Sequence, residues 1–223
     1  MLGIEPVNQH LSLAERDTYG KAFLQIMNIW RNSDAVREIV FSRRLASIAT
    51  ALLEVSGVRL YHDQALYKEP GGGHTPWHAD QYYWPLSSDR TVTAWIPLQE
   101  TPLELGPLEF SAGSAALTDG RDKEISDESQ AFLESVLRGA GFPQVVEPFQ
   151  LGEVSFHTGW TYHRAGPNTT DRMRKVMTMI YMDKEMRLVK PTNRHQEADL
   201  QAWCQGARVG EVIDTPTNPV IAH

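Results

Sequence analysis

Four residues combine the types and the spacing that a metal centre with a neighbouring anion site requires. His78 and Asp80 form a His-x-Asp triplet, and His163 and Arg174 follow far along the chain. Two imidazoles and one carboxylate suit a non-haem iron(II) centre, because they leave coordination positions open for reactants. An arginine near the last ligand suits a dicarboxylate co-substrate, which its planar guanidinium can bind bidentately. These residue types predict an oxygen-activating enzyme.

The spacing also predicts the elements that hold these side chains. Residues i and i+2 of a strand face the same side, so His78 and Asp80 can point together into a barrel interior while Ala79 faces away. The apolar run 175–182 predicts a buried strand. Arg174, at the inner start of that strand, needs an anionic partner, because an unpaired buried charge is costly.

A His-x-Asp or His-x-Glu triplet is weak evidence by itself. With eight histidines and 28 acidic residues in 223, about one such triplet is expected by chance. The chain has a second one, His195 to Glu197, in a polar C-terminal segment. We interpret this one as the chance copy, because neither a predicted buried strand nor a partner histidine surrounds it.

The surrounding motifs resemble those of a known family. They are LYHDQALYK (60–68), GGG (71–73), WHAD (77–80), TAWIPL (93–98), GPLEFSAGS (106–114), GEVSFHTGW (152–160) and the segment 163–174. In these motifs the chain resembles the phytanoyl-CoA dioxygenase family of iron(II)/2-oxoglutarate oxygenases, from about residue 58 to 182. The resemblance implies a mainly β fold with flanking helices (α+β), a double-stranded β-helix or cupin-like jelly-roll barrel.

The resemblance also implies roles for individual residues. The implied iron ligands are His78, Asp80 and His163, with Fe(II) as the cofactor and 2-oxoglutarate and O2 as co-substrates. Arg174 matches the residue that pairs with the distal carboxylate of 2-oxoglutarate. Arg172 competes for this role, but the family spacing favours Arg174.

Further co-substrate contacts are implied for three residues, which are Lys68, Thr75 and Thr93. Relatives often place a serine near 2-oxoglutarate two residues after the last ligand, and this chain has Ala165 there. The contact is therefore expected to be missing.

Three residues are candidates for contact with the substrate, and each has a structural alternative. Trp84 matches a position that lines the substrate cavity in some relatives, but strand aromatics are as often simple core residues. Gln64 is either a satisfied strand amide or a hydrogen-bond partner of the substrate. His157 is either a structural histidine or a residue of the same cavity as His163.

Composition limits the partners of the chain. Its net charge is −7 and its pI about 5.6, so no basic surface favours nucleic acid or an anionic membrane. No cluster of lysine and arginine stands out to bind the phosphates of a coenzyme A ester. Cys204 is the one cysteine, which excludes an internal disulfide and fits a reducing cytoplasm. We expect neither a signal peptide at the start of the chain nor a membrane span.

The order of apolar patterns predicts a single domain over 1–223. Residues 1–57 form a helical bracing segment with helices at 13–29 and 34–55, residues 58–182 the barrel core, and residues 183–223 a C-terminal extension. Within the core, strands are predicted at 58–66, 92–98, 108–110, 145–149 and 154–156, and a helix at 126–138. The pattern sets no oligomeric state.

The expected function is hydroxylation of an unactivated C–H bond in a small molecule that is not a coenzyme A ester. Related halogenases replace the carboxylate ligand with a small residue, and Asp80 excludes that reaction. Cyclisation, epimerisation and desaturation by the same centre remain alternatives. A small-molecule-binding jelly roll that has lost catalysis is a further alternative, which the complete ligand set disfavours.

Overall fold

The computed structural model describes residues 11–222. The strands are β1 (Leu24–Met27), β2 (Val58–Lys68), β3 (Thr75–His78), β4 (Thr91–Pro97), β5 (Leu108–Ser111), β6 (Gln144–Val146), β7 (Ser155–Thr158), β8 (His163–Ala165), β9 (Arg174–Asp183) and β10 (Val220–Ala222). The α-helices are α1 (Thr18–Ala22), α2 (Asp34–Val40), α3 (Arg43–Leu53), α4 (Asp127–Gly139) and α5 (Arg194–Trp203).

The strands form two antiparallel sheets. The larger sheet has the order β1-β2-β9-β4-β7, with β10 also paired to β2, and the smaller sheet has the order β3-β8-β5-β6. A cavity lies between them, since its lining includes Thr93 and Thr178 of the larger sheet and His78 and His163 of the smaller one. This two-sheet arrangement is the one predicted from the sequence.

The central strand β9 is buried on both faces. Its residues Met177, Met179 and Tyr181 pack in the cluster that contains Ala46 and Ala49 of α3. The alternate residues Thr178 and Ile180 face the cavity. Because successive strand residues point to opposite faces, one continuous apolar run supplies both the outer core and the cavity wall.

The helix predicted over 13–29 is wrong. The short helix α1 ends at Ala22, and Leu24–Met27 form β1, which pairs antiparallel with β2 from Leu24↔Tyr67 to Met27↔Gln64. Backbone hydrogen bonds to a strand distant in sequence therefore override the local helical spacing. The helix predicted over 34–55 is two helices, because Ser42 caps a new helix by accepting from Leu45 N at 3.4 Å.

The predictions for the core are confirmed for most elements. Strands β2, β4, β5, β7 and β9 and helix α4 form where the pattern placed them. The predicted strand 145–149 is shorter, because β6 ends at Val146 and Phe149 forms only an isolated bridge with Thr101. The short strands β8 and β10 were missed, since three residues carry too little periodicity.

The C-terminal extension is part of the folded body. Strand β10 pairs with β2, and the buried Asn218 side chain donates to the carbonyls of Leu60 and Tyr61 at 3.3 and 2.9 Å. Within residues 11–222, no helix is long and apolar enough to cross a membrane. The start of the chain, where no signal peptide is expected, lies outside the described residues.

Candidate active site

His78 and Asp80 lie side by side, but not on one strand as predicted. Strand β3 ends at His78, and Asp80 begins the short 3-10 helix Asp80–Tyr83. Ala79 between them keeps an extended backbone (φ −124°, ψ 129°), so the two flanking side chains still point the same way. The Nε2 atom of His78 lies 3.6 Å from Oδ1 of Asp80.

His163 completes this cluster from the neighbouring strand. Strands β3 and β8 pair antiparallel with His78 opposite His163, and their ring centroids are 4.2 Å apart. The Nε2 atom of His163 lies 3.8 Å from Oδ1 of Asp80. Ligand atoms from all three side chains lie within 4.8 Å of one another, close enough to share one metal ion.

Backbone carbonyls orient both imidazoles for coordination. His78 Nδ1 lies 2.8 Å from Pro76 O, and His163 Nδ1 lies 3.0 Å from Thr161 O. A proton on each Nδ1 satisfies these carbonyls and leaves each Nε2 lone pair facing the cluster, which is the arrangement of metal-binding histidines.

The electrostatics of the cluster suit a cation. Burial lowers the pKa values of His78 and His163, so both imidazoles are neutral near pH 7. Burial opposes the charge of Asp80, but the histidines His163, His157 and His78 hold the pKa of its carboxyl well below the usual range. Neutral imidazoles and an ionised carboxylate are the protonation states that bind a divalent metal.

His157 is a third histidine at the same centre. It lies on β7 opposite Thr93, its Nε2 is 3.5 Å from Oδ2 of Asp80, and its ring centroid is 4.4 Å from that of His163. Neither of its ring nitrogens has a hydrogen-bond partner among the described residues. Of the two interpretations offered by the sequence, the structure places His157 in the cavity wall.

Arg174 presents a buried positive charge to the same cavity. It is 1% exposed, and its Nη1 donates to Gly106 O at 2.5 Å, while its Nε has no acceptor among the described residues. No carboxylate of residues 11–222 forms an ion pair with it. Burial lowers the pKa of Arg174 to about 10, so it stays charged at neutral pH and can bind an anion.

Arg172, the competing arginine, occupies a turn. Its side chain is exposed. Its carbonyl accepts a hydrogen bond from the buried Asn168 side chain at 2.6 Å. Only Arg174 of this pair lines the cavity.

The three other residues that the sequence linked to the co-substrate have different positions. Thr75 lines the cavity with a buried hydroxyl that has no partner among the described residues, and Thr93 donates to Oδ2 of Asp80 at 3.3 Å. Lys68 does not line it: its Nζ atom donates to Gly73 O at 2.6 Å and Gly166 O at 2.7 Å. Burial, and then Arg174, lower the pKa of Lys68 to about 6.

The candidate substrate residues lie in the wall of this cavity of about 250 Å³. Trp84 lines it and packs against Tyr61 at 5.5 Å between ring centroids. Gln64 also lines it, and its side-chain oxygen accepts from Gln25 of the unexpected strand β1. Trp84 and Gln64 are each packed or bonded and also reach the cavity, so contact with a substrate stays a prediction for both.

His195 of the second triplet lies apart from the cluster. Its Nε2 is 2.5 Å from Oε2 of Glu124, and its ring packs against Tyr83 at 5.1 Å. The helix that carries it, α5, nevertheless supplies two cavity residues that the sequence did not indicate, Asp199 and Trp203. Their segment was set aside for its polarity, and no local motif marked them.

The donor chemistry of the cluster fits a mononuclear iron centre beside an anion. Two neutral imidazoles and one carboxylate converge, and a buried arginine without a carboxylate partner in the described part of the chain faces the same cavity. An iron ion and the carboxylates of 2-oxoglutarate would satisfy both features.

Comparison with known proteins agrees with this geometry. The family model for phytanoyl-CoA dioxygenase (PhyH) matches residues 12–176. A probable alpha-ketoglutarate-dependent hypophosphite dioxygenase of Stutzerimonas stutzeri is 25% identical over 157 residues, which cover 66% of this chain and 53% of that protein. The chain thus spans about half the length of this curated relative.

Solved structures share the fold. The epimerase SnoN in complex with Fe3+, alpha ketoglutarate and nogalamycin RO has a TM-score of 0.74 and 28% identity, covering 90% of this chain and 78% of that one. The carbocyclase SnoK from nogalamycin biosynthesis has a TM-score of 0.73 and 26% identity, covering 89% and 76%. These matches confirm the predicted jelly roll. Because the family model matches most of its length, the chain belongs to the phytanoyl-CoA dioxygenase family.

Proposed function

We propose that this chain is an iron(II)- and 2-oxoglutarate-dependent dioxygenase that oxidises a C–H bond of a small molecule. In this proposal His78, Asp80 and His163 are the metal ligands. The observation that carries it is the convergence of these three ligand groups in one cavity with the uncompensated charge of Arg174.

Arg174 binds the distal carboxylate of 2-oxoglutarate in this proposal. Its guanidinium is already fixed by Gly106 O and by Trp95, whose ring centroid lies 5.6 Å away. Its Nε has no acceptor among residues 11–222, so an entering carboxylate gains a preorganised donor. Thr75 and Thr93 supply neighbouring hydroxyls. Lys68 lies outside the cavity, where its side chain donates to the carbonyls of Gly73 and Gly166.

Iron bound at this centre would supply the activation of O2 coupled to oxidative decarboxylation of 2-oxoglutarate. The protein holds the reactants in order. Asp80 stays ionised and accepts from Thr93, while the carbonyls of Pro76 and Thr161 fix the two imidazoles. Apolar walls from Trp84, Ile180 and Leu66 limit the access of water to the reacting groups.

A coenzyme A ester does not fit the charges of the cavity. Among the described residues that line it, Arg174 is the one lysine or arginine, and 2-oxoglutarate occupies it in this proposal. The phosphates of coenzyme A would meet no further cation, and the acidic chain would repel them. The substrate is therefore a compact molecule held by aromatic and polar side chains.

Epimerisation or ring formation is a second possible outcome of the same chemistry, beside hydroxylation. The relatives SnoN and SnoK are an epimerase and a carbocyclase. Epimerisation and ring formation begin, like hydroxylation, with removal of one hydrogen from carbon. The choice among them is set by the residues around the substrate and not by the ligand set.

Succinate release tests the proposed function. Purified protein is incubated with Fe(II), ascorbate and 2-oxoglutarate, with and without a panel of small molecules. The wild type should form succinate, and His163→Ala should form none, because it removes one of three protein ligands. His195→Ala is the matched control and should behave as the wild type. A wild type that binds ligands but never releases succinate would support a catalytically inactive binding protein instead.

A further inference from the structure

Helix α5 carries a carboxylate into the wall of the cavity. Asn193 caps the helix by accepting from His195 N and Gln196 N, and the Gln196 side chain donates to Tyr82 O at 3.1 Å. The helix is thereby fixed beside the segment that follows His78. Asp199 and Trp203 are four residues apart, so they share one helix face, and both line the cavity.

A β-bulge on β2 provides the other half of this contact. The register of β2 against β9 shifts between Leu60 and His62. Such a shift can re-aim neighbouring side chains. Tyr61 donates its hydroxyl to Oδ2 of Asp199 at 2.9 Å, and the His62 ring packs against Trp203 with centroids 5.4 Å apart. Adjacent residues of one strand therefore both contact α5.

The charge of Asp199 has no counter-ion in the described part of the chain. No lysine, arginine or histidine of residues 11–222 forms an ion pair with it. Its titratable neighbours are Tyr61 and Cys204, whose pKa values burial raises, the latter to about 12. Burial lowers the pKa of nearby His62 to about 4, so this imidazole is neutral as well. The Asp199 carboxylate therefore has a hydrogen-bond donor but no cation beside it, which favours a cationic ligand.

The strand register places the His62 end of the cavity away from the arginine. Arg174 begins β9, and Ile180, opposite His62, lies six residues further, or roughly 20 Å at about 3.3 Å per residue. Thr93, which bonds to Asp80, also pairs with Ile180. The His62 end of the cavity is therefore level with the candidate metal ligands, and the arginine lies at the far end.

We propose that Asp199 is the substrate-recognition residue of this site, and that the substrate is a small organic cation whose ammonium group it binds. This inference rests on the proposed function, in which Arg174 is occupied by 2-oxoglutarate. The apolar body of the substrate packs between Trp84 and Trp203, which both line the cavity. An ammonium both donates hydrogen bonds and neutralises the carboxylate, which no neutral ligand does.

The Asp199 carboxylate argues against hypophosphite as the substrate of this chain. Hypophosphite is a small anion, and it would meet Asp199 as a like charge in the cavity wall. The substrate named for the Stutzerimonas stutzeri protein therefore does not suit this wall. Burial raises the pKa of Asp199 to about 7, against the hydrogen bonds from Tyr61 and Trp203, and a bound cation would favour its ionised form.

Three probes with the same phenyl group and different charges test the inference. They are 2-phenylethylamine, 2-phenylethanol and phenylacetate, titrated calorimetrically at pH 8 without oxygen into protein loaded with Mn(II) and 2-oxoglutarate. The wild type should bind the amine at least about tenfold more tightly than the alcohol, and the acid most weakly. Asp199→Asn keeps an acceptor for Tyr61 but removes the charge, so its ratio of amine to alcohol affinity should fall to about one.

Glu197→Gln is the matched control, because it removes one charge from an exposed position of the same helix. It should keep the preference for the amine. A wild type that binds the amine no better than the alcohol, or not at all, overturns the inference, and so does a preference that survives in Asp199→Asn. A separate titration of 2-oxoglutarate into the Mn(II) protein tests the proposed function. If 2-oxoglutarate does not bind, the proposed function fails, and the affinities for the amine and the alcohol can still be compared between the wild type and Asp199→Asn without the co-substrate.

Discussion

Loss of the Arg174 guanidinium should cost the chain most of its affinity for 2-oxoglutarate. The side chain is 1% exposed and has no carboxylate partner in residues 11–222, so its charge and that of a bound carboxylate neutralise each other away from water. Removing one partner of such a pair costs roughly 3–5 kcal/mol, because the other charge is left buried and unpaired. At about 1.4 kcal/mol per factor of ten, Arg174→Ala should weaken binding by about 100-fold or more.

Calorimetric titration of 2-oxoglutarate into the Mn(II) protein measures this loss. Arg174→Lys should fall between the wild type and Arg174→Ala, because lysine keeps the charge but not the two-pronged donor geometry. Arg172→Ala is the control, since its side chain is exposed and outside the cavity, and it should change affinity by less than about threefold. A larger loss in Arg172→Ala than in Arg174→Ala would refute the assignment of the anion site.

Three further predictions concern the metal, the substrate wall and the fold. Alanine in place of His78, Asp80 or His163, the proposed metal ligands, should abolish binding of Fe(II) measured by equilibrium dialysis. His195→Ala should leave this binding unchanged. Trp84→Ala should weaken substrate-stimulated succinate release and leave metal and 2-oxoglutarate affinity unchanged; equal loss of all three would assign Trp84 to the core. Burial raises the pKa of Asp63 to about 6, so the free energy of unfolding should fall as pH rises from about 4 to 6. Asp63→Asn should remove about 2–3 kcal/mol of that fall in urea unfolding at the two pH values, and an unchanged pH dependence would contradict the reasoning.

The sequence predicted the parts of the site that local patterns encode. His78, Asp80 and His163 lie in segments with distinctive neighbours, and the structure brings their ligand atoms together. The strand prediction from the run 175–182 also placed Arg174 correctly at the start of β9. Such long apolar runs carry enough information, because burial on both faces of a strand leaves few alternatives.

Contacts between distant segments could not be predicted in the same way. Strand β1 forms only because the edge of β2 accepts it, and its own four residues carry a helical pattern. Asp80 leaves the strand after His78, yet the extended backbone of Ala79 keeps the geometry that the spacing required. Lys68 was expected at the co-substrate, but its Nζ atom donates to the carbonyls of Gly73 and Gly166 instead. Each outcome depends on partners that the local sequence does not contain.

The residues that local patterns predicted and the residues that they missed lie in different parts of the site. In the proposed site, His78, His163 and Arg174 come from strands of the two sheets, and Asp80 lies in the short helix directly after β3. Part of the cavity wall comes from α5, which contacts Tyr82 of the short helix and the β2 residues Tyr61 and His62. Side chains of a helix that is attached by such contacts can be substituted without disturbing the strands that carry the proposed metal ligands. SnoN and SnoK share this fold and are an epimerase and a carbocyclase, and in this chain we propose that Asp199 of α5 selects the substrate.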